Sequence, residues 1–188
     1  DFSVATVNNG TIIGEEGRIT FSGTLNNTST GKISGYAIGT PAGTNFTNSG
    51  IFAPGMSPGI LNVTGQLKST NGTFEIDIDG ITEGTQYDQI TYTGSTAVSL
   101  SGNINVNLGY EPQVNDEFTI IKSPTAGITS TLAVPNFAEY EGHHYYFTVI
   151  NSANEIKLKV NNITLATAQN NLVQSKIYPN PAVDFVHY

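Results

Sequence analysis

Three acidic side chains that could act together lie in one short stretch of this 188-residue chain. Glu75, Asp77 and Asp79 alternate with two isoleucines. Side chains two positions apart on a β-strand point to the same face, so these carboxylates would be neighbours. Such a group could serve as paired catalytic carboxylates or as a calcium site. The same spacing arises in any strand with one solvated face, and we predict a polar sheet surface here.

Histidines and further acidic residues are concentrated between positions 139 and 144. His143 and His144 follow Glu139 and Glu141 closely enough to suggest a metal site. Adjacent residues on a strand point to opposite faces, however, so the two histidines cannot readily bind one ion without a bulge. We interpret the segment as a surface turn and predict that the chain holds no metal ion and no cofactor.

Aromatic side chains surround these histidines and suggest binding in place of catalysis. Tyr140, Tyr145, Tyr146 and Phe147 could provide a platform on which a sugar ring stacks. Strand alternation turns half of them inward, which leaves Tyr140 and Tyr146 as the exposed pair. We therefore predict a glycan contact at these two tyrosines, with surface glycans as the ligand.

The elements that position these residues should be β-strands. The chain has 20 glycines, no tryptophan and only 12% charged residues, and it is rich in Thr, which favours strands, and in Asn, which with Gly supports turns. It has no cysteine, which excludes disulfides and thiolate metal sites. The net charge of −8 is spread without runs and argues against nucleic acid or an anionic membrane as a partner.

Short apolar and polar alternations bounded by Gly, Asn or Pro predict strands joined by turns. They recur roughly every 10 to 20 residues, which suits the coils of a β-solenoid. The absence of a strict repeat leaves a β-sandwich open as the alternative. No apolar run approaches the roughly 20 residues that span a bilayer, so we predict that the chain is not an integral membrane protein. In the first 66 residues the segments are 2–7, 18–23, 33–38 and 60–64.

An ordered series of motifs follows Gly50. Two Pro-Gly steps, at 54–55 and 58–59, precede a Tyr-Asp-x-hydrophobic step at 87–90 and a turn of the form Asn-Asp-x-Phe at 115–118. The series spans about 50–121 and resembles the distal end of autotransporter-like passengers and related β-helical surface proteins. Where those proteins usually have Gly, this chain has Asn115, which tolerates the same left-handed turn. The resemblance implies a capping region in which Asp88 lies at a structural turn.

A cap of this kind has a clear physical purpose. The last coil of a solenoid exposes an apolar cross-section and unpaired strand edges, which a terminal β element must cover.

Nucleophile elbows and phosphate-binding loops are absent from the sequence. We predict that this chain is not an enzyme, although a catalytic domain could precede it in a longer polypeptide.

The last residues carry a different motif. Tyr178, Pro179, Asn180 and Pro181 are followed closely by Asp184 within an alternating apolar segment. The two prolines fix φ and favour an extended turn that leads into a strand. The motif resembles the start of the C-terminal sorting domain, type A, of proteins that the type IX secretion system of Bacteroidota exports. The resemblance implies that these five residues form the sorting signal.

Together these features predict an all-β chain in four parts. Residues 1–66 form a short-strand β-solenoid-like region, 67–160 a capping region, 161–174 a polar linker and 175–188 the truncated start of the sorting domain, a small β-sandwich. Both ends of the sequence fall within strand patterns, and we expect a fragment of a larger polypeptide.

The expected function is that of the C-terminal part of a large secreted cell-surface protein, an adhesin or a structural protein. The resemblance implies the type IX translocon and a PorV-type outer-membrane shuttle protein as partners, and an extracellular or cell-surface location. The alternative is a non-catalytic tail or glycan-binding module of a secreted polysaccharide-degrading enzyme.

Overall fold

The computed structural model describes residues 4–55 and 58–166, and the fold of this part is all-β, as predicted. No helix in these ranges is long and apolar enough to cross a membrane. In chain order the strands are β1 (Thr6–Asn8), β2 (Thr11–Thr20), β3 (Leu25–Asn27), β4 (Lys32–Gly39), β5 (Asn45–Asn48), β6 (Ile51–Pro54), β7 (Ile60–Thr64), β8 (Gln66–Ile78), β9 (Gln89–Tyr92), β10 (Val98–Leu108), β11 (Glu117–Lys122), β12 (Ile128–Ala133), β13 (Ala138–Tyr140), β14 (His143–Asn151) and β15 (Glu155–Leu165).

Parallel pairing arranges these strands in three rows. The first row contains β1, β3, β5, the first halves of β8 and β10, and β12. The second row contains the first halves of β2 and β4, then β6 and the second halves of β8 and β10. The third row contains the second halves of β2 and β4, then β7, β9 and β11. The chain therefore winds through three faces and stacks each coil on the previous one, as in a β-solenoid.

Glycines allow one long strand to serve two faces. In β4 the bend falls at Gly35, which has φ of 120°. A Cβ atom at this position would lie 2.3 Å from the carbonyl oxygen of Gly14 in the coil before it. Only glycine accommodates both this φ and the close approach of the two backbones. The corner of the coil is therefore specified by the sequence.

Apolar residues at equivalent positions stack in columns across the coils. Ile12, Ile33, Phe52, Phe74 and Ile104 occupy equivalent positions in the second row. The rings of Phe52 and Phe74 are stacked with centroids 5.9 Å apart. The last four residues of the column are fully buried. Because a single coil cannot bury its apolar side chains alone, this stacking is the main source of the hydrophobic core.

A column of polar side chains runs inside the first row. The amide nitrogen of Asn8 donates to Oδ1 of Asn27, and that of Asn27 donates to Oδ1 of Asn48, both at 2.7 Å. Asn48 in turn donates to the hydroxyl of Ser69 at 3.2 Å. All four residues are buried. This amide ladder satisfies polar groups that would otherwise be costly inside the protein, and it fixes the register between coils.

Antiparallel strands end the parallel stack at the last coil. Strand β15 pairs antiparallel with β11 on one side and with β14 on the other, and β14 pairs antiparallel with β13. The inner faces of β14 and β15 are apolar and complete the core through Tyr145, Phe147, Ile156, Leu158 and Val160. We refer to β13, β14 and β15 as the cap.

The predicted boundary between the solenoid-like region and the capping region, at residue 66, falls at the start of β8. Parallel pairing continues across this boundary and ends at Ala133 in β12. Strand β15 extends to Leu165, so the predicted polar linker, 161–174, begins inside a strand. Asn161 and Asn162 are exposed in this strand, which is why the sequence there suggested a linker. The predicted start of the sorting domain, 175–188, lies outside the described residues.

Tyrosines buried in and near the cap give the protein a pH dependence. Burial, together with the charges of Glu111 and Glu141, raises the pKa of Tyr145 above its usual value of 10.0. Burial also raises the pKa of Tyr87 and of Tyr110. As the pH rises above 10, these tyrosines ionise in the unfolded chain before they ionise in the folded one. Their contribution to stability is therefore complete below pH 10 and is lost as the pH rises further.

We expect Tyr145→Phe to make the free energy of unfolding less sensitive to alkaline pH. At pH 7 the change should be within about 0.5 kcal/mol, since the buried Tyr145 hydroxyl forms no hydrogen bond of good geometry within residues 4–55 and 58–166, although Glu111 lies close enough to raise its pKa. Urea titrations between pH 8 and pH 11 would measure the difference. Ile81→Ala, at an exposed position without a titratable group, is the control and should retain the parent's pH dependence. An unchanged alkaline slope in Tyr145→Phe would contradict this explanation.

Candidate functional site

Two of the three predicted carboxylates, Glu75 and Asp77, lie on the outer side of β8, and Asp79 follows the last residue of that strand. Glu75 and Asp77 are half-buried and Asp79 is exposed. Oε2 of Glu75 lies 2.7 Å from Nζ of Lys32, and Oδ1 of Asp77 accepts a hydrogen bond of 2.7 Å from the amide of Asn107. In residues 4–55 and 58–166, no group of three or more His, Asp and Glu residues is arranged to hold a metal ion. The interactions of Glu75 and Asp77 are therefore with residues of other coils.

Asp88 is buried, and both of its carboxylate oxygens accept backbone hydrogen bonds. Oδ1 accepts from the N–H of Gly59 at 2.6 Å, and Oδ2 accepts from the N–H of Asp77 at 3.0 Å. The N–H of Asp88 donates to the carbonyl of Asp77 at 2.9 Å. The side chain thus ties the loop that precedes β9 to β8 and to the turn before β7. This geometry supports the structural role predicted for Asp88.

The two histidines at the start of β14 point to opposite sides of the cap. His144 pairs with Glu139 across the strands, and its Nε2 lies 2.8 Å from Oε1 of that residue. The ring of His143 lies on the same side as Tyr145, with centroids 6.3 Å apart. A single ion therefore cannot contact both imidazoles in this arrangement.

The outer side of the cap carries a cluster of three rings, which we call the aromatic cluster: Phe137, His144 and Tyr146. The rings of Phe137 and His144 are stacked with centroids 3.7 Å apart, and Tyr146 meets Phe137 edge-on at 5.9 Å. Phe137 is 41% exposed. The stack holds an apolar surface rigidly at the protein boundary, where it is accessible to a ligand.

The structure does not bring the predicted pair Tyr140 and Tyr146 together. Tyr140 is in β13, opposite His143, and packs against the core. Tyr146 is in β14 and belongs to the aromatic cluster. The prediction counted alternation along one strand, but a turn at Glu141 and Gly142, both with positive φ, separates the two strands. Antiparallel pairing across that turn places Tyr140 on the inner face.

A groove of about 270 Å³ borders the aromatic cluster. It lies between the second half of β10 and the segment that leads into β13. Exposed side-chain amides and one aromatic ring dominate its surface, a combination that suits the hydroxyls and apolar faces of a sugar. The residues that line the groove are Ile104, Asn105, Val106, Asn107, Val134, Asn136 and Phe137.

Sequence reasoning missed Phe137 and the groove. Phe137 precedes β13 and lies outside any alternating segment, so periodicity gave no reason to place it beside Tyr146. The contact between β10 and the residues before β13 is long-range and has no local signature.

The predicted sorting residues lie outside the described residues. These are Tyr178, Pro179, Asn180, Pro181 and Asp184.

Comparison with known proteins does not assign this chain to a family. No known protein family matches its sequence, and no curated protein is significantly similar to it.

Proposed function

We propose that this chain is the C-terminal part of a large secreted cell-surface protein and that its own role is structural or adhesive. The observation that carries the proposal is the parallel stack of coils that ends in an antiparallel cap. Such a stack is a stiff and elongated element, well suited to hold a binding region away from a surface. Glu75 and Asp77 bind residues of other coils, which favours a structural role over catalysis.

Export is the second part of the proposal and is supported by the terminal motif. Tyr178 would serve as an aromatic anchor for the type IX translocon and its PorV-type outer-membrane shuttle. Pro179 and Pro181 would present the neighbouring backbone already extended, which lowers the entropic cost of binding. The chain would then be cleaved and either attached to the cell surface or released.

Replacing both prolines should reduce export. We expect Pro179→Ala with Pro181→Ala to loosen the turn and to lower the amount of full-length protein at the cell surface several-fold. Surface proteolysis and cell fractionation measure this amount, in wild-type cells and in cells without the type IX translocon. Pro41→Ala with Pro135→Ala, at two exposed positions, is the matched control. Unchanged display of the first double variant would contradict the assignment.

A second candidate function is glycan binding, and the groove beside the aromatic cluster favours it. In that case the chain would be a non-catalytic module of a secreted polysaccharide-degrading enzyme, or the adhesive part of a surface protein. Phe137 offers the stacking surface, while Asn105 and Asn136 offer amide donors and acceptors on either side.

A glycan array with the parent protein would test this second function. Any ligand it identifies should bind Phe137→Ala at least about tenfold more weakly, because the stacking face is lost. Tyr146→Ala should weaken binding less, since Tyr146 contacts Phe137 edge-on. Tyr36→Ala, a partly exposed tyrosine on β4, is the control. A ligand whose affinity does not depend on Phe137 would place the binding site elsewhere.

A further inference from the structure

The first coil presents two strands that are paired on one side only. Within the described residues, β1 pairs with β3 alone and β2 pairs with β4 alone. Their other edges carry the free N–H and C=O groups of unpaired strands, which can accept a further strand. Among residues 4–55 and 58–166, no antiparallel strand covers this end as the cap covers the opposite one.

The hydrophobic columns are open at the same end. Ile12 and Ile19 remain partly exposed, whereas their column neighbours Ile33 and Ile38 are 0% and 2% exposed. A cavity of about 210 Å³ lies over them. Apolar side chains would fit over Ile12 and Ile19, because the same column positions in the following coils carry large apolar side chains. The residues that line the cavity are Thr6, Val7, Asn8, Ile12, Ile19 and Phe21.

The amide ladder also ends there, and its first acceptor atom, Oδ1 of Asn8, receives no hydrogen bond from another asparagine of the described residues. In the ladder each earlier asparagine donates to Oδ1 of the next, so Asn27 and Asn48 both accept from the preceding coil. Oδ1 of Asn8 instead accepts a 3.2 Å hydrogen bond from the N–H of Gly10. An amide oxygen has two lone pairs, so it can accept a second hydrogen bond from a coil stacked before it.

We propose that this end face binds one further β-solenoid coil in parallel register. The coil would place an asparagine opposite Asn8 and aliphatic side chains opposite Ile12 and Ile19. Three independent features agree on this partner: the free edges, the open columns and the direction of the ladder. A second copy related by two-fold symmetry fits less well, because it would meet the strands antiparallel and oppose acceptor to acceptor at Asn8.

The chain supplies its own probe for this surface. Residues 25–45 form one coil, since Leu25 aligns with Phe46 in the next. A copy of this segment placed directly before Thr6, in place of residues 1–5, would bring its Asn27 opposite Asn8 and its two isoleucines opposite Ile12 and Ile19. We expect the thermal midpoint of the full chain to rise by about 5 °C and the binding of an apolar dye to fall.

The matched control is the same extension with Ile33→Lys and Ile38→Lys in the copy alone, which should give no rise. Equal midpoints for the extension and its control would overturn the proposal. Sedimentation of the parent chain tests the other occupant. We expect a monomer, and a dimer that Ile12→Lys dissociates would show that the end face binds a second copy instead.

Discussion

Replacement of Phe52 by alanine should lower the free energy of unfolding by about 4 kcal/mol. The side chain is fully buried at the centre of the second-row column. Its ring lies 5.6 Å from that of Phe46 in the same coil and 5.9 Å from that of Phe74 in the next one, so its removal opens a cavity between stacked coils. Because paired strands fix the spacing of the coils, the cavity cannot collapse easily, and the full cost of the lost contacts should appear.

Urea unfolding followed by circular dichroism would measure this loss. Ile81→Ala is the matched control, since Ile81 is 73% exposed and should change stability by no more than about 0.5 kcal/mol. A loss below about 1.5 kcal/mol for Phe52→Ala would contradict a continuous column through this position.

Replacement of Asp88 by alanine should cost about 3 kcal/mol, although the residue is a carboxylate in an otherwise polar loop. Its two oxygens satisfy the N–H groups of Gly59 and Asp77. Loss of both bonds leaves buried donors without a partner, and hydrogen bonds to a charged acceptor are among the stronger ones. The turn before β7 should then lose its link to the loop before β9, and backbone hydrogen bonds alone should hold that loop to β8.

Hydrogen exchange would locate the effect as well as measure it. We expect the amides of Gly59 and Asp77 to lose protection in Asp88→Ala, while amides in the cap retain theirs until the whole chain unfolds. Asp79→Ala removes an exposed carboxylate from the same region and should leave both amides protected. Unchanged protection at Gly59 in Asp88→Ala would show that the carboxylate does not hold this turn.

The local pattern of the strands could be predicted because it depends on alternation alone. Phe74, Ile76 and Ile78 are buried, and the acids between them face outward, as the sequence indicated. Alternation in β14 also correctly placed Tyr145 inward. These predictions succeeded because a strand that packs on one face must alternate, whatever its partners are.

The coil register could not be predicted, since the repeat is hidden by turns of unequal length. Thr6, Leu25, Phe46 and Leu67 align across the first row at separations of 19, 21 and 21 residues. The next two separations in this row are 31 and 30 residues. A sequence search for a fixed period therefore fails, although every coil occupies an equivalent place in the stack.

At the candidate glycan site, too, the sequence pattern predicted positions within a strand but not contacts between strands. Tyr146 was placed outward by alternation within its own strand, and the structure agrees. Tyr140 lies across a turn, where antiparallel pairing and not sequence distance decides the face. Phe137 reaches the site only because the segment before β13 passes beside β10, a contact between distant parts of the chain.

The reversal of strand direction at the cap has a consequence for how the chain folds. Strands β14 and β15 are joined by a short turn, 152–154, so they can pair early, as hairpins form within microseconds. Each parallel coil must instead close a loop of 19 or more residues before it gains a contact. We expect the hairpin to act as the nucleus on which successive coils assemble, from the end of the chain that is synthesised last toward the end that is synthesised first.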